Sequence, residues 1–149
     1  MQKHNKGPAA NSLDEIQEKL EPLIAGAAST AVFLDLDGTL APIMPRPNDV
    51  SIPADIIRLI RQLAHKYMAV TIVSGRPATG AKRIVGNAEL AYIGNHGFET
   101  MLPGHAWVVC EEAQPFLTRI RELIESCRKN EQQPEMGIWI EYKIATITS

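Results

Sequence analysis

The sequence predicts an α/β fold built on a parallel β-sheet, and two observations carry this prediction. Three apolar runs, at 31–34, 69–73 and 90–93, are each too short for a helix and each end in polar residues. Segments with helical periodicity alternate with these runs through the first hundred residues. Such alternation is typical of right-handed βαβ units, whose strands lie parallel to one another and are covered by helices.

Length and composition are those of an ordinary globular domain. The chain has 149 residues, of which 45% are apolar and 21% are charged, and its net charge is −2. These values exclude disorder, a collagen-like repeat and a disulfide miniprotein. They also give no general electrostatic reason to bind nucleic acid or an anionic membrane, so any recognition of phosphate must be local.

Cysteine usage and the apolar pattern predict a soluble, cytoplasmic protein. Cys110 and Cys127 have no Cys-x-x-Cys or Cys/His ligand spacing, which argues against a disulfide framework and against structural zinc. No apolar h-region follows the basic residues near the start, and no apolar run reaches the roughly 18 residues that span a membrane. Residues 1–11 are expected to form a flexible arm without a targeting role.

The first helix is predicted from a capping box and a helical stripe. Ser12-Leu13-Asp14-Glu15 has the form of the box, and apolar residues then recur at helical spacing up to Ile24. The next run, 31–34, is continuously apolar, which indicates a strand buried on both faces. A Pro-rich loop then leads to Ser51 and Pro53, which are start signals for a second helix.

Two more strands and one more helix complete the alternating part. The run 69–73 ends in Ser74-Gly75-Arg76-Pro77, and the short helical stretch that follows stops near Gly86. The run 90–93 ends in Gly94-Asn95-His96-Gly97. Ligands of such sheets bind beyond the carboxyl ends of the strands, and all three runs end there in a polar segment that contains glycine.

The pattern changes after Glu99. Residues 107–109 indicate an edge strand, 111–128 a helix, and 137–144 a half-exposed strand with alternating, β-branched side chains, after a polar loop at 129–135. A lone helix with one or two strands seldom buries its own apolar face, so we expect the start of a second subdomain. The predicted division is an arm at 1–11, a core at 12–104 and a partial α/β cap at 105–149.

The segment Asp35-Leu36-Asp37-Gly38-Thr39 carries the most chemistry. An extended chain places Asp35 and Asp37 on the same side, just past a buried strand. Two carboxylates there form a half-site for Mg²⁺, which uses one or two carboxylates together with a substrate phosphate. An Asp beside that ion can act as a nucleophile and a second one as a general acid. An Asp-Gly turn with two solvated acids is the alternative that stays open.

The other two strand ends offer groups for phosphate or sugar. Ser74-Gly75-Arg76 supplies a hydroxyl, a backbone N–H and a guanidinium, all of which suit phosphate oxygens. An N-cap serine beside a surface arginine would have the same sequence. Asn95 and His96 could orient a sugar or a phosphate, but a turn histidine satisfied by its own loop is an equal possibility.

At these residues the chain resembles the haloacid dehalogenase (HAD) superfamily of Mg²⁺-dependent phosphotransferases, whose signature is Asp-x-Asp-Gly-Thr after the first strand. The longer string at 31–43 resembles the trehalose-6-phosphate phosphatase family. Three further motifs occur in that family in the same order: Val73-Ser74-Gly75-Arg76-Pro77, Gly94-Asn95-His96-Gly97 with Glu99, and Glu141-x-Lys143. The resemblance implies a HAD-like Rossmannoid parallel sheet, incomplete in this chain, joined to the start of an α/β cap.

The resemblance also implies the catalytic roles. Asp35 is the nucleophile that attacks phosphorus, and Asp37 is the general acid and then the base. The metal, Mg²⁺, is bound by Asp35 and by the backbone carbonyl of Asp37. Ser74 and Gly75 hold the phosphoryl group that is transferred.

Substrate binding is implied for a second group of residues. Arg76, Asn95 and His96 would lie at the mouth of the site. Glu141 and Lys143 would bind trehalose hydroxyls from a mobile cap that closes over the substrate. Without the resemblance, an ion pair between Glu141 and Lys143 on an exposed strand face carries equal weight.

The implied activity is hydrolysis of trehalose 6-phosphate to trehalose and phosphate, a step of trehalose biosynthesis, through an aspartyl-phosphate. Family members later supply a phosphate-binding lysine and a Gly-Asp-Asp segment, neither of which occurs after Glu99 here, so we expect little activity from this chain. Two alternatives stay open: an inactive remnant that only binds a sugar phosphate, and a phosphatase for another sugar phosphate. Apolar positions at 111–128 and 138–144 predict self-association through the exposed partial cap.

Overall fold

The fold is built on a mixed five-stranded sheet, seen in a computed structural model that describes residues 13–130, 141–142 and 147–148. The strands lie in chain order: β1 (Ala31–Asp35), β2 (Ala69–Val73), β3 (Ala91–Gly94), β4 (Glu99–Met101) and β5 (Val108–Val109). β1 pairs with β2 and β2 with β3 in parallel, whereas β4 and β5 are added antiparallel. The α/β fold with parallel core strands is confirmed, and β5 is the predicted edge strand.

Four α-helices accompany the sheet in the described part of the chain: α1 (Leu13–Ala25), α2 (Ala54–Lys66), α3 (Ala78–Val85) and α4 (Leu117–Asn130). α2 and α3 begin directly after Pro53 and Pro77, as expected for a ring whose fixed φ suits a helix start. α3 ends at Gly86, where the sequence predicted it to stop.

The apolar core lies where α2 and α3 pack against the parallel strands. Its largest fully buried side chains are Leu36, Ile60, Ile72, Val85, Leu90 and Tyr92. The Tyr92 hydroxyl donates a hydrogen bond of 2.5 Å to the carbonyl of Asn87, just beyond the end of α3. Burial raises the pKa of Tyr92 from 10.0 to about 12, and the hydrogen bond to Asn87 offsets part of that rise.

β1 is less buried than the sequence predicted. Phe33 is 64% exposed, and no residue of β1 falls in the buried class. Among the described residues β1 pairs only with β2, and α1 buries none of its own residues. The two-sided burial predicted for 31–34 is therefore wrong, because Val32 and Leu34 alone pack against the core and the other face is uncovered.

α4 begins later than the sequence predicted. Residues Glu111–Phe116 form a 3₁₀-helix that contains Pro115, and α4 then runs on through 129–130, where a loop was predicted. In an α-helix that began at Glu111, Pro115 could not bond to the Glu111 carbonyl and its ring would clash with it, which disfavours α-helical turns before Leu117. Two short strands, β6 (Glu141–Tyr142) and β7 (Ile147–Thr148), pair antiparallel in a second sheet.

The boundary between core and cap stays a prediction. β5 belongs to the core sheet although it follows residue 104, where the cap was predicted to begin. The remaining residues of the predicted strand 137–144, the arm at 1–11 and Ser12 of the capping box lie outside the described residues. In the part that is described, every helix is too short or too polar to cross a bilayer.

Candidate active site

The first acidic segment lies at the carboxyl end of β1. Asp35 is the last residue of the strand and is exposed, and its Oδ2 accepts a hydrogen bond of 3.1 Å from Thr39 Oγ1. Leu36, the next residue, is fully buried and closes the turn by accepting a 2.9 Å hydrogen bond from the backbone N–H of Ala41. With Leu36 anchored in the core, Asp35 and Asp37 are both directed away from it.

Asp37 is held by an arginine from the second strand end. Arg76 Nε lies 2.8 Å from Asp37 Oδ2, and Arg76 Nη2 lies 2.8 Å from Asp37 Oδ1. The third nitrogen, Nη1, donates a 2.9 Å hydrogen bond to the carbonyl of Pro47. This two-pronged pairing fixes both the position and the plane of the carboxylate.

Ser74 is buried beside that arginine, with 4% of its surface exposed. Its Oγ accepts a 3.0 Å hydrogen bond from the backbone N–H of Arg76. The N-cap residue of α3 is Pro77, so the interpretation of Ser74 as an N-cap beside a surface arginine is wrong. The oxygen is already used by its own loop, which leaves the hydroxyl proton to be donated.

The third strand end packs directly on the second. A Cβ added to Gly94 would lie 2.2 Å from the backbone nitrogen of Ala78, and one added to Gly75 would lie 2.7 Å from Cε1 of His96. The backbone N–H of Asn95 donates a 2.7 Å hydrogen bond to the carbonyl of Arg76. Glycine is therefore required at position 94, where a Cβ would meet backbone, whereas at position 75 the exposed His96 ring would have to turn aside.

Asn95 and His96 occupy different positions although they are neighbours. Both have positive φ, 52° and 58°, in the left-handed region that non-glycine residues adopt at a cost. Asn95 is fully buried and donates through Nδ2 to Glu99 Oε1, so it lies beneath the mouth of the site at which it was expected. His96 is exposed and lies against Gly75.

Glu99 is the residue of this site to which sequence reasoning assigned no role. It is the first residue of β4, is fully buried, and accepts hydrogen bonds from three different segments. Its place in the motif after Gly97 was visible in the sequence. No local signal in the sequence reveals its burial, because Glu99-Thr100-Met101 is neither an apolar run nor an alternating one.

The donor set beside Asp35 fits a magnesium ion in part. Asp35 offers an exposed carboxylate, and the described residues donate no backbone hydrogen bond to the carbonyl of Asp37. Hard oxygen ligands of this kind suit Mg²⁺, which keeps several waters. Within the described ranges no group of three or more His, Cys, Asp or Glu side chains converges on a common point.

The cap residues are only partly described. Glu141 lies in β6 opposite Thr148 of β7, and Lys143 falls outside the described residues.

A groove of about 440 Å³ opens beside Arg76, within the size range of small-molecule pockets. Its lining is mixed, with two arginines beside apolar residues, and comprises Pro47, Asn48, Arg76, Pro77, Thr79, Gly80, Arg83 and Ile84.

Known proteins with similar sequences are trehalose-phosphate phosphatases. The profile of the family described as Trehalose-phosphatase matches residues 33–143. The chain is 44% identical over 73 residues to "Probable trehalose-phosphate phosphatase G" of Arabidopsis thaliana, which covers 49% of this chain and 19% of that protein. It is 34% identical over 117 residues to "Probable trehalose-phosphate phosphatase 9" of Oryza sativa subsp. japonica. That match covers 70% of this chain and 31% of the rice protein.

Solved structures agree with these sequence matches. A trehalose-6-phosphate phosphatase related protein has a TM-score of 0.66 at 27% identity, over 76% of this chain and 48% of that one. The C-terminal domain of C. albicans trehalose-6-phosphate phosphatase shares the fold, with a TM-score of 0.71 at 24% identity. The match covers 93% of this chain and 46% of that one. The chain thus spans about half of these structures and less than a third of the two curated relatives. Since the family profile matches well over half of its residues, the chain belongs to the trehalose-phosphatase family.

Proposed function

We propose that this chain forms the phosphoryl-transfer half of a Mg²⁺-dependent phosphatase that hydrolyses trehalose 6-phosphate to trehalose and phosphate. The observation that carries the proposal is that the ends of β1 and β2 come together. Arg76 forms two hydrogen bonds to Asp37, 39 positions earlier in the chain, beside the buried Ser74. The names of the relatives add the substrate class. We propose the cytoplasm as its location, following the cysteine usage.

The chain's own residues divide the proposed reaction into two balanced steps. An Asp35 oxygen attacks phosphorus, the bond from phosphorus to the sugar oxygen breaks, and Asp37 gives its proton to that leaving oxygen. Water then attacks the phosphorus of the aspartyl-phosphate and gives a proton to Asp37, which releases phosphate and restores Asp35. Ser74 and Gly75 donate hydrogen bonds to the phosphoryl oxygens during both steps.

Both oxygens of Asp37 now accept from the guanidinium of Arg76, so moving one of them away from Arg76 would leave it better placed to carry a proton to the leaving oxygen. An incoming phosphate is the natural competitor for that guanidinium, since Arg binds phosphate and carboxylate through the same fork. Substrate binding would thereby free the acid when it is needed.

Magnesium would be held by the Asp35 carboxylate and the Asp37 carbonyl. When bound, it supplies positive charge that stabilises the charge developing on the phosphoryl oxygens. The remaining ligands would be waters and the substrate phosphate.

The sugar would be bound by residues around the mouth of the site. His96, which is exposed, and Arg76, which lines the groove, are on the core side. Glu141 and Lys143 would contact trehalose hydroxyls from the cap. Asn95 is fully buried, so it would contribute indirectly, by supporting the turn that carries His96.

Phosphate release from trehalose 6-phosphate with Mg²⁺ tests this function. We expect a low turnover, in keeping with the missing lysine and Gly-Asp-Asp segment, that disappears in Asp35→Asn and persists in Asp55→Asn, a matched exposed aspartate in the first turn of α2. Absence of turnover with saturable binding of trehalose 6-phosphate would contradict the enzyme and support the binding module. Turnover confined to other hexose phosphates would support the alternative substrate.

A further inference from the structure

We propose that Glu99 is the positioning residue of this site, holding the loop that carries Ser74 and Arg76 against the turn that carries His96. Glu99 is fully buried at the start of β4, directly beneath both loops. That these loops act on a phosphoryl group rests on the function proposed above, whereas the positioning itself stands on the contacts of Glu99.

Three donors from three segments converge on this one carboxylate. The backbone N–H of Ala78 donates to Oε2 at 2.9 Å, and Trp107 Nε1 donates to the same oxygen at 3.2 Å. Asn95 Nδ2 donates to Oε1 at 3.2 Å. Glu99 therefore links the start of α3, the left-handed turn after β3 and the loop before β5.

The chemistry of the donors explains why a carboxylate stands here. All three partners donate, and an ionised carboxylate only accepts, so each donor is satisfied without conflict. A glutamine would turn an NH₂ group toward at least one N–H. Ala78 is also the first residue of α3, where unpaired amides and the helix dipole favour a negative charge.

The route from Glu99 to the reacting groups is short. Ala78 follows Arg76 and Pro77 directly, so fixing the Ala78 amide fixes where α3 starts and where Arg76 leaves the loop. Asn95 also binds the Arg76 carbonyl through its backbone N–H, at 2.7 Å. Losing the carboxylate would weaken both of these restraints on the backbone around Arg76, and the guanidinium would be less well aligned with Asp37.

The test measures amide hydrogen exchange and the Arg76 Nε–H resonance in the whole chain, for the wild type and Glu99→Gln. We expect exchange at Ala78 to be about tenfold faster or more in the variant, because its charged acceptor is lost. The Arg76 signal should shift or broaden. Ile72, buried in β2, should exchange at an unchanged rate.

The matched control is Tyr92→Phe, which also removes one buried hydrogen bond, but beyond the opposite end of α3. It should leave Ala78 and Arg76 as they are in the wild type. Equal acceleration at Ala78 and Ile72 in Glu99→Gln would mean a general loss of stability and would overturn the positioning role. Unchanged Ala78 and Arg76 signals would overturn it too.

Trp107→Phe covers the case in which Glu99→Gln does not fold, since it keeps an aromatic ring and removes one of the two donors to Oε2. We expect smaller changes confined to the same two signals, and no change at either would overturn the proposal. Failure of the wild type to release phosphate would count against the proposed function, whereas the exchange rates would still decide whether Glu99 holds the two loops.

Discussion

Arg76 connects the chemistry of two strand ends through a single planar side chain. Its fork meets both oxygens of Asp37 at 2.8 Å, and its remaining nitrogen is fixed by Pro47. A lysine carries the same charge but has no fork, so it cannot set the plane of the carboxylate. Geometry at this residue, more than charge, determines how Asp37 is presented.

We therefore expect Arg76→Lys to lower kcat/KM for trehalose 6-phosphate by about tenfold or more, in line with the loss of a charge-assisted, two-pronged interaction. Steady-state phosphate release measures the effect. Arg58→Lys, at an exposed position of α2, is the control and should match the wild type. A variant at position 76 as active as that control would contradict the geometric role.

Tyr92 predicts how stability responds to alkaline pH. Its pKa is about 12 in the folded chain and 10.0 in the unfolded one, so above pH 10 the unfolded chain binds fewer protons. Stability from this residue is complete below pH 10 and is lost as pH rises from 10 to 12. Urea unfolding of the wild type and Tyr92→Phe should show a difference in unfolding free energy that changes over this range. A constant difference would refute the assignment.

At the scale of elements, the contact between β3 and the start of α3 brings the two loops together. Gly94→Ala would force a methyl group to 2.2 Å from the Ala78 nitrogen, and we expect the free energy of unfolding to fall by about 1–3 kcal/mol, the usual cost of overpacking.

Gly80→Ala is the matched control. Gly80 lies inside α3 with no neighbour closer than 4.0 Å, so alanine should raise the free energy of unfolding by about 0.5–1 kcal/mol. Urea titration measures the unfolding free energies of the two variants. A change of the same sign in both would contradict the close contact at Gly94.

The elements themselves could be predicted because each carries its own local signal. α2 and α3 follow prolines, and the runs 69–73 and 90–93 are too short to be helices. β4 has no such signal, since three residues that include Glu99 show neither alternation nor an apolar run. The 3₁₀ turns before α4 were also missed, because helical periodicity alone does not separate them from an α-helix.

The same limit applies to the site. The Asp35 segment and the Ser74 segment were predictable because parallel strands deliver their carboxyl ends to one edge. The burial of Asn95 and the three hydrogen bonds to Glu99 depend on contacts between residues from three segments. Spacing in the sequence does not encode such contacts, which is why Asn95 was expected at the mouth.

At the scale of the whole molecule, helical segments near both ends of the range 13–130 expose large apolar side chains. α1 exposes a stripe in which Leu20 and Leu23 are 44% and 47% exposed. Phe116, the last residue of the 3₁₀-helix before α4, is 59% exposed, and Leu123 of α4 is 54% exposed. Exposed large apolar side chains on two helical segments are compatible with an interaction surface, and self-association stays a prediction.

We expect the chain to bind a hydrophobic dye and to form larger species as its concentration rises, measured by light scattering after size-exclusion chromatography. Leu20→Lys with Leu23→Lys tests the α1 stripe, and Phe116→Lys with Leu123→Lys tests α4 and the 3₁₀-helix before it. The pair that lowers association identifies the surface. A wild-type chain that stays monomeric at every concentration and binds no dye would refute the prediction.

Trp107 gives this molecule a built-in optical reporter. Its indole N–H is bonded to Glu99, which also holds the start of α3 and the turn at Asn95. Indole emission depends on the hydrogen bonding and polarity around the ring, so a rearrangement of either loop would change its wavelength. In a Trp139→Phe background Trp107 is the sole tryptophan. Its emission would then follow the binding of a sugar phosphate in real time, without a label.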